Sequence, residues 1–153
     1  MERIKSFEVD HDFITPGFYI SRIDGDVTTY DLRTRRPNCG DLMCHGTMHT
    51  FEHLFATYAR NSALTDEVIY VGPMGCRTGF YFLLRDKVSR EEALALVQES
   101  FAFIAQFEGK IPGSERIECG NYLEHDLAGA KAVAADMLQV LENWTAEKME
   151  YQA

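Results

Sequence analysis

The sequence predicts an α+β fold in which an antiparallel sheet carries helices packed on one face. Segments rich in aromatic and β-branched residues precede, separate and follow segments of helical periodicity. The links between neighbouring strand candidates are short and turn-like, as in hairpins. With 153 residues and 46% apolar side chains, the chain is expected to form a single domain over residues 1–153.

The first two strands are predicted on either side of a turn. Residues 18–23 alternate weakly and are rich in aromatic and β-branched side chains. Asp24-Gly25-Asp26 has the composition of a hairpin turn, and residues 27–32 are expected to form the return strand. The basic segment 33–38 ends in Pro-Asn, which favours a loop.

Three helices and three more strands complete the prediction. Thr47 is the candidate N-cap of a helix that runs to about Asn61 and has apolar residues at helical spacing. The following elements are two strands at 67–71 and 79–84, a helix at 89–109, a short strand at 116–119 and a helix at 127–148. Ser89-Arg-Glu-Glu92 is a capping box, and Gly109 is a natural residue to follow a helix end.

Charge and composition exclude several functions. The formal net charge is −9, from 24 acidic and 15 basic residues, which disfavours binding to nucleic acid or to an anionic membrane. No apolar run reaches membrane-spanning length, and the N-terminal segment lacks the apolar region of a signal peptide. We therefore expect a cytoplasmic protein, in which the four cysteines, Cys39, Cys44, Cys76 and Cys119, are thiols.

The segment His49-Thr-Phe-Glu52-His53 is the strongest functional pattern. Residues four apart lie on one face of a helix, so His49 and His53 can direct two imidazoles at one metal ion. Glu52 projects toward the same region, and a carboxylate beside a metal can transfer protons without being a ligand. This H-x-x-E-H pattern on a metal-bearing helix also occurs in the inverzincin hydrolases.

The pattern needs a third ligand, and several residues are candidates: Cys119, His45, Cys44, Glu124 and His125. A thiolate suits a three-ligand catalytic site with two histidines, and the Gly-Asn turn after Cys119 would present its sulfur. Glu124 lies at a separation similar to that of the third ligand of inverzincin proteases. His45 precedes the expected cap and should lie outside the helix.

Cys76 is the second thiol with a suggestive context. It lies in Pro-Met-Gly-Cys-Arg-Thr-Gly, a tight loop between two apolar strands. The glycines allow close approach of the backbone to a ligand, and Arg77 favours a thiolate. Such a thiolate can act as an acid, base or nucleophile, whereas a buried structural thiol is the alternative.

Taken together, these motifs resemble the S-ribosylhomocysteine lyase family, the bacterial autoinducer-2 synthesis proteins called LuxS. The resemblance rests on ordered motifs: His49-Thr-Phe-Glu52-His53-Leu, Gly72-Pro-Met-Gly-Cys76-Arg-Thr-Gly-Phe-Tyr, and Glu118-Cys119-Gly-Asn followed by His125-Asp-Leu. Two further segments look similar, namely Ser6-Phe-Glu-Val-Asp10-His11 and Tyr30-Asp-Leu-Arg33 followed by Pro37-Asn38. The similarity extends over essentially the whole chain.

The resemblance implies a metal enzyme that works as a homodimer with active sites at the subunit interface. It implies one divalent metal per subunit, Fe(II) natively and Zn(II) or Co(II) as substitutes, bound by His49, His53 and Cys119. The implied reaction cleaves the thioether of S-ribosylhomocysteine to homocysteine and 4,5-dihydroxy-2,3-pentanedione, the autoinducer-2 precursor. It proceeds by successive carbonyl migration and β-elimination.

The resemblance also assigns roles to side chains away from the metal. Glu52 and Cys76 are implied to be the catalytic proton-transfer pair. The implied substrate-binding residues are Ser6, His11 and Arg33. This chain departs from some members in having Tyr70, where they carry an acidic residue six positions ahead of the catalytic cysteine.

Two other functions compete with this interpretation. In an inverzincin-type metallopeptidase, Glu52 would activate a metal-bound water and Glu124 would be the third ligand. In a non-catalytic metal-binding domain, His45 or Cys44 would complete a closed four-ligand site. The peptidase class requires neither Cys76 nor Cys119.

Overall fold

The computed structural model describes residues 1–152 and has the expected α+β architecture. The main elements are β1 (Gly17–Asp24), β2 (Val27–Arg33), α1 (His45–Arg60), β3 (Val68–Pro73), β4 (Gly79–Arg85), α2 (Arg90–Ala105) and α3 (Leu127–Leu141). Short 3₁₀ helices lie at Lys5–Phe7, His11–Phe13, Thr65–Glu67 and Ala146–Met149. The four strands form one antiparallel sheet in the order β1-β2-β4-β3.

The predicted hairpin between β1 and β2 is confirmed. Asp24 pairs with Val27, which leaves Gly25 and Asp26 as a two-residue turn. Gly25 has a φ of 58°, a left-handed conformation that glycine adopts without steric cost. The strands begin and end within two residues of the predicted positions.

The hydrophobic core lies between the sheet and the helices. On β4, Phe80 and Phe82 are at most 1% exposed and alternate with half-buried residues. Phe51 of α1 stacks on Phe80 with ring centroids 4.7 Å apart, and Phe55 meets the edge of Phe82 at 4.9 Å. Burial of each such ring contributes about 1.5–3 kcal/mol to folding, so this packing fixes α1 against the sheet.

The other face of the sheet is polar at β2. Asp31 and Arg33 alternate along this strand with the core residues Tyr30 and Leu32, and therefore point away from the helices. Their side chains are nevertheless only 1% and 3% exposed. The tail of the chain contributes to this burial, because the Tyr151 hydroxyl donates to Asp31 Oδ2 at 2.7 Å.

Helix α1 begins earlier than its sequence predicted. The N-cap is Cys44, and His45 lies in the first turn rather than outside the helix. The prediction of Thr47 as the cap was wrong because its hydroxyl is used elsewhere. Thr47 Oγ1 donates to Asp126 Oδ2 at 2.9 Å, a contact across 79 residues.

The other two helices begin as predicted and end early. Ser89 and Glu92 form the capping box of α2, with reciprocal bonds of 3.1 and 3.0 Å. This helix ends at Ala105, so Gly109 does not terminate it. The predicted helix at 127–148 ends at Leu141, and Trp144 Nε1 then donates to Phe18 O of β1 at 2.8 Å. Within residues 1–152, none of the helices combines the length and apolarity that crossing a membrane requires.

The predicted strand at 116–119 is a turn instead. The carbonyl of Glu115 accepts from the N–H groups of Glu118 at 2.9 Å and of Cys119 at 3.1 Å. The backbone of this segment is therefore satisfied locally and does not pair with the sheet.

Candidate metal centre and the Cys76 cavity

Four side chains converge beside α1. His49, His53, Cys119 and His125 each offer one donor atom, and these atoms lie within 4.8 Å of one another. We call this group the donor cluster. Cys119 Sγ lies 3.3 Å from His49 Nε2, although 70 residues separate them in the chain. Nitrogen and sulfur donors at this spacing are those that Zn²⁺ and Fe²⁺ bind.

The two helical histidines are held in the form that binds a metal. Nδ1 of His49 lies 2.8 Å from the carbonyl oxygen of Glu124, and Nδ1 of His53 lies 2.9 Å from that of Pro112. A carbonyl oxygen can only accept, so each Nδ1 carries the proton. This leaves Nε2 of each ring as the nitrogen that can offer a lone pair, and the residues fit a metal ion on chemical grounds.

The loop that supports His53 depends on a glycine. Gly113 has a φ of 69°, in the left-handed region. A Cβ atom built at this position would lie 3.2 Å from His53 Nδ1, the atom that bonds to Pro112. The glycine thus lets the loop pass close to the ring while the carbonyl of the preceding residue accepts its proton.

Asp126 connects the helices that frame the cluster. Its carboxylate accepts from Thr47 Oγ1 on α1 and, at 2.9 Å, from the N–H of Gly129 in the first turn of α3. Its own N–H donates to Thr50 Oγ1 at 2.9 Å. These bonds of Asp126 to α1 also hold the preceding residue, His125, against this helix.

His125 was only one of several ligand candidates in the sequence, and the structure places it in the cluster. Its ring stacks on His49 with centroids 4.0 Å apart and an interplanar angle of 20°. Its Nδ1 lies 2.9 Å from Thr50 Oγ1, and its buried Nε2 has no hydrogen-bond partner among the described residues. Burial, and then the neighbouring His49 and His53, lower the pKa of His125, which favours its neutral form.

The remaining ligand candidates lie outside the cluster. His45 and Cys44 are exposed at the start of α1. Glu124 contributes its backbone carbonyl to His49, while the residue itself is exposed. Glu52 lies half-buried on α1, between His49 and His53 in the sequence, and does not belong to the cluster. Its role in proton transfer stays a prediction.

Cys76 lies in a separate cavity of about 430 Å³. Arg33, Thr78 and His11 line it together with Cys76, and the loop residues Pro37, Asn38, Gly40 and Leu42 complete it. Arg77, which precedes Thr78, has a φ of 62°, a left-handed conformation that is uncommon for a residue with a side chain. Arg33 thus places a positive charge in the same cavity as the accessible Cys76 thiol.

A buried hydrogen-bond network holds Arg33 in this cavity. Its Nε and Nη2 donate to the two oxygens of Asp31 at 3.0 and 2.6 Å, and its Nη1 donates to Thr78 Oγ1 at 2.8 Å. Burial would lower the pKa of Arg33, but the hydrogen bonds and charge of Asp31 outweigh it and raise this pKa. The guanidinium is therefore a fixed positive charge.

The implied substrate-binding residues lie near one another. Ser6, His11 and Arg33 all border a small void on the sheet face opposite the helices. Ser6 also lines a larger cavity of about 330 Å³, together with Tyr70. Tyr70 is 52% exposed, so its phenol is accessible from this cavity.

The donor cluster and the Cys76 cavity are thus two distinct regions. None of the four donor residues lines the cavity that contains Cys76 and Arg33. The cluster is built on α1 and the loop before α3, whereas Arg33 extends from the sheet face that the helices leave uncovered.

A family comparison and a comparison with individual proteins point to the same family. The family described as S-Ribosylhomocysteinase (LuxS) matches residues 4–148. An S-ribosylhomocysteine lyase of Phocaeicola vulgatus is 45% identical over 99% of this chain and 98% of that protein. Those of Porphyromonas gingivalis and Clostridium beijerinckii are 45% and 43% identical, each over 99% of both chains. Similarity therefore covers the donor cluster, the Cys76 loop and the N-terminal segment alike.

Proposed function

The chain belongs to the S-ribosylhomocysteinase (LuxS) family, and we propose that it is a metal-dependent lyase acting on S-ribosylhomocysteine. The products are homocysteine and 4,5-dihydroxy-2,3-pentanedione, formed without net oxidation or reduction. The single observation that carries this proposal is the tautomer of His49 and His53. Backbone carbonyls hold Nδ1 of both rings, His49 Nε2 lies 3.3 Å from Cys119 Sγ, and one donor atom of His53 lies within 4.8 Å of both, which makes a donor set for one divalent ion.

The proposed ligands are His49, His53 and Cys119, one ion per subunit. Imidazole and thiolate donors suit Fe(II), which we propose as the native ion, and also Zn(II) or Co(II) as substitutes. The His125 ring stacks nearly parallel on His49 at 4.0 Å, and its donor atom lies in the same cluster. The proposal leaves His125 out of the ligand set, so that one position of the ion would be open to substrate.

The chemistry of the substrate defines what the side chains must do. The C–S bond breaks readily by β-elimination once the carbonyl stands at C3, so the carbonyl must first move from C1 through C2. When bound, the metal supplies Lewis-acid polarisation of the substrate oxygens. Cys76, as a thiolate, removes a proton from one carbon and returns it to its neighbour. Glu52 moves protons among the oxygens and at the later carbon.

The separation of the two regions supports a homodimer with active sites at the interface. The reacting carbon must be within hydrogen-bond reach of the base while its oxygen faces the metal. The cavity of Cys76 contains none of the donor cluster within one chain. In an isologous dimer, the donor cluster of one subunit completes the Cys76 cavity of the other, which gives two equivalent sites. Ser6, His11 and Arg33 then bind the ribosyl and homocysteine parts.

The competing peptidase function loses its proposed third ligand. Glu124 is exposed, outside the donor cluster, and contributes only its backbone carbonyl. That function also gives no role to the buried network around Cys76. The lyase, by contrast, uses both regions, and we expect it to act in the cytoplasm as a single-domain chain.

The decisive experiment is incubation of the purified protein with S-ribosylhomocysteine and detection of free homocysteine thiol. We expect release of thiol by protein loaded with Fe(II), Co(II) or Zn(II), and none after chelation. The His53→Ala variant is the matched control, because it removes one donor and leaves the Cys76 cavity intact. Failure of the metal-loaded protein to release thiol would refute the proposed activity.

A further inference from the structure

The hydroxyl of Thr78 lies between Arg33 and the Cys76 thiol. Arg33 Nη1 donates to Thr78 Oγ1 at 2.8 Å, and the same oxygen lies 3.0 Å from Cys76 Sγ. Thr78 itself is only 3% exposed, so solvent has little access to its hydroxyl. The three groups therefore form a short chain from a fixed cation to the thiol.

The available protons determine which group donates in each of these two hydrogen bonds. A guanidinium has no lone pair, so Arg33 must donate and Thr78 Oγ1 must accept. The hydroxyl keeps one proton, and among its described neighbours Cys76 Sγ is the remaining partner. If the thiol donated instead, this buried proton would have no acceptor, which is uncommon in folded proteins. The arrangement thus favours a sulfur that accepts, as a thiolate does best.

Tyr151, near the C-terminus, holds the other end of this hydrogen-bond series, at Asp31. Tyr151 donates to Asp31 Oδ2 at 2.7 Å, beside the oxygen's bond to Arg33. Its ring stacks on Tyr19 with centroids 5.3 Å apart, which holds the phenol in place. Burial, the negative charge of Asp31 and the bond to it raise the pKa of Tyr151, so the hydroxyl remains a donor.

We propose that Thr78 and Tyr151 are positioning residues for Cys76, with Thr78 donating its hydroxyl proton to the sulfur and Tyr151 holding Asp31 and hence Arg33 in register. The proposal rests on the proposed lyase function only in that Cys76 is the base. Neither residue is assigned a contact with the reacting carbon. Their effect is to fix where the sulfur points and to supply it with a hydrogen-bond donor.

The test measures the pH dependence of Cys76 alkylation by iodoacetamide in the metal-loaded protein, with the modified peptide quantified by mass spectrometry. The charged or titratable groups near this thiol in one subunit are Arg33, Asp31, Tyr81, Arg77 and His11. Tyr151 lies beside Asp31 and Arg33 in the same network. All of these groups are unchanged in the Thr78 variants, so differences between those profiles report the Thr78 hydroxyl. Thr78→Val should shift the profile upward by about one pH unit and slow alkylation about tenfold below its midpoint. Thr78→Ser should retain the parent profile.

Three comparisons keep the test falsifiable. Thr28→Val removes a buried hydroxyl from the end of β2 away from Arg33 and should leave the alkylation profile unchanged. Tyr151→Phe should shift the profile in the same direction as Thr78→Val but by less, about two- to threefold in rate. Tyr19→Phe is the control for Tyr151→Phe, because the Tyr19 hydroxyl donates to Thr15 O and not to Asp31. If Thr78→Val does not fold, Thr78→Ala replaces it with the same expectation.

The outcomes separate this proposal from the proposed function. A parent-like profile for Thr78→Val or Thr78→Ala would overturn the role of Thr78, and one for Tyr151→Phe would overturn the role of Tyr151. Alkylation requires no substrate, so shifted profiles in a protein without lyase activity would leave the network intact. In an active protein, kcat of Thr78→Val should fall while KM changes less than about twofold.

Discussion

The donor cluster and the Cys76 cavity are held by different kinds of partner. In the cluster, backbone carbonyls of residues 112 and 124 orient His53 and His49. In the cavity, the chain from Asp31 through Arg33 to Thr78 consists entirely of side chains. A residue keeps its backbone carbonyl whatever its side chain, whereas a single substitution removes a side-chain partner. The cluster should therefore respond to changes in loop shape, and the cavity to changes of single side chains.

The largest expected effect is loss of metal from the cluster. Cys119→Ala should fail to retain metal through dialysis, because removal of a ligand costs more than the roughly 10–100-fold typical of outer partners. Glu124→Gln should retain it, since only the backbone of this residue contacts His49. Metal content is measured by plasma emission spectrometry. Full retention by Cys119→Ala would refute the assignment of this ligand.

Next in size is loss of turnover with metal retained. Cys76→Ala and Glu52→Gln should each reduce kcat by about 10²–10⁴-fold, the usual contribution of a general acid or base. Both should bind one metal per subunit, because neither side chain belongs to the donor cluster. Either variant turning over within a few-fold of the parent would remove that residue from the proposed mechanism.

Loop shape is tested by paired glycine substitutions. Gly113→Ala and Gly109→Ala both place a side chain at positive φ, 69° and 102°, and each should destabilise the fold by about 1 kcal/mol or more. Only Gly113 adjoins His53, so only its variant should lose metal affinity, by about 10–100-fold. Competition with a chromophoric chelator measures affinity, and thermal unfolding measures stability. Equal affinity losses in both variants would contradict the proposed role of the Pro112 carbonyl.

Complementation tests whether the two regions meet across subunits. A mixture of His53→Ala and His11→Ala chains should recover up to about a quarter of the parent activity, because half of randomly exchanged dimers carry one intact site. Each variant alone should be inactive. Exchange is verified with differently tagged chains and native mass spectrometry. If verified heterodimers are inactive, each site is built from one chain.

The smallest expected effect belongs to His125. His125→Ala should bind Co(II) about tenfold more weakly than the parent, at the low end of the roughly 10–100-fold typical of outer partners. The absorption spectrum of the Co(II) protein should keep the thiolate charge-transfer band and show unchanged coordination number. A marked change in the visible bands would instead identify His125 as a fourth ligand.

Much of the fold and part of the site could be predicted from short-range patterns. The H-x-x-E-H spacing located His49 and His53, and the Ser89 capping box located α2, because both depend on residues within one helical turn. The errors came from distant partners. Thr47 has the composition of a cap, yet Asp126 uses its hydroxyl. The segment 116–119 is β-like in composition, yet local carbonyl bonds form a turn.

The site residues that sequence reasoning missed share this origin. Nothing near Tyr151 indicates that it bonds to Asp31, 120 residues earlier. Thr78 is part of the Cys76 motif, but its importance depends on its bond to Arg33 of β2. The carbonyls that orient the histidines have no sequence signal at all, since every residue carries one. Only the strand alternation of Asp31 and Arg33 could have indicated that they share a face.

The contact between Cys119 and His49 closes a long stretch of chain, because 70 residues separate the two side chains. An ion bound there is also a crosslink between α1 and the loop before α3. Binding to the folded form alone adds about 2.7 kcal/mol of stability at a free metal concentration 100 times Kd. The melting temperature should therefore rise with free metal. A cell that runs short of the ion would lose the protein itself to unfolding and degradation, in addition to its activity.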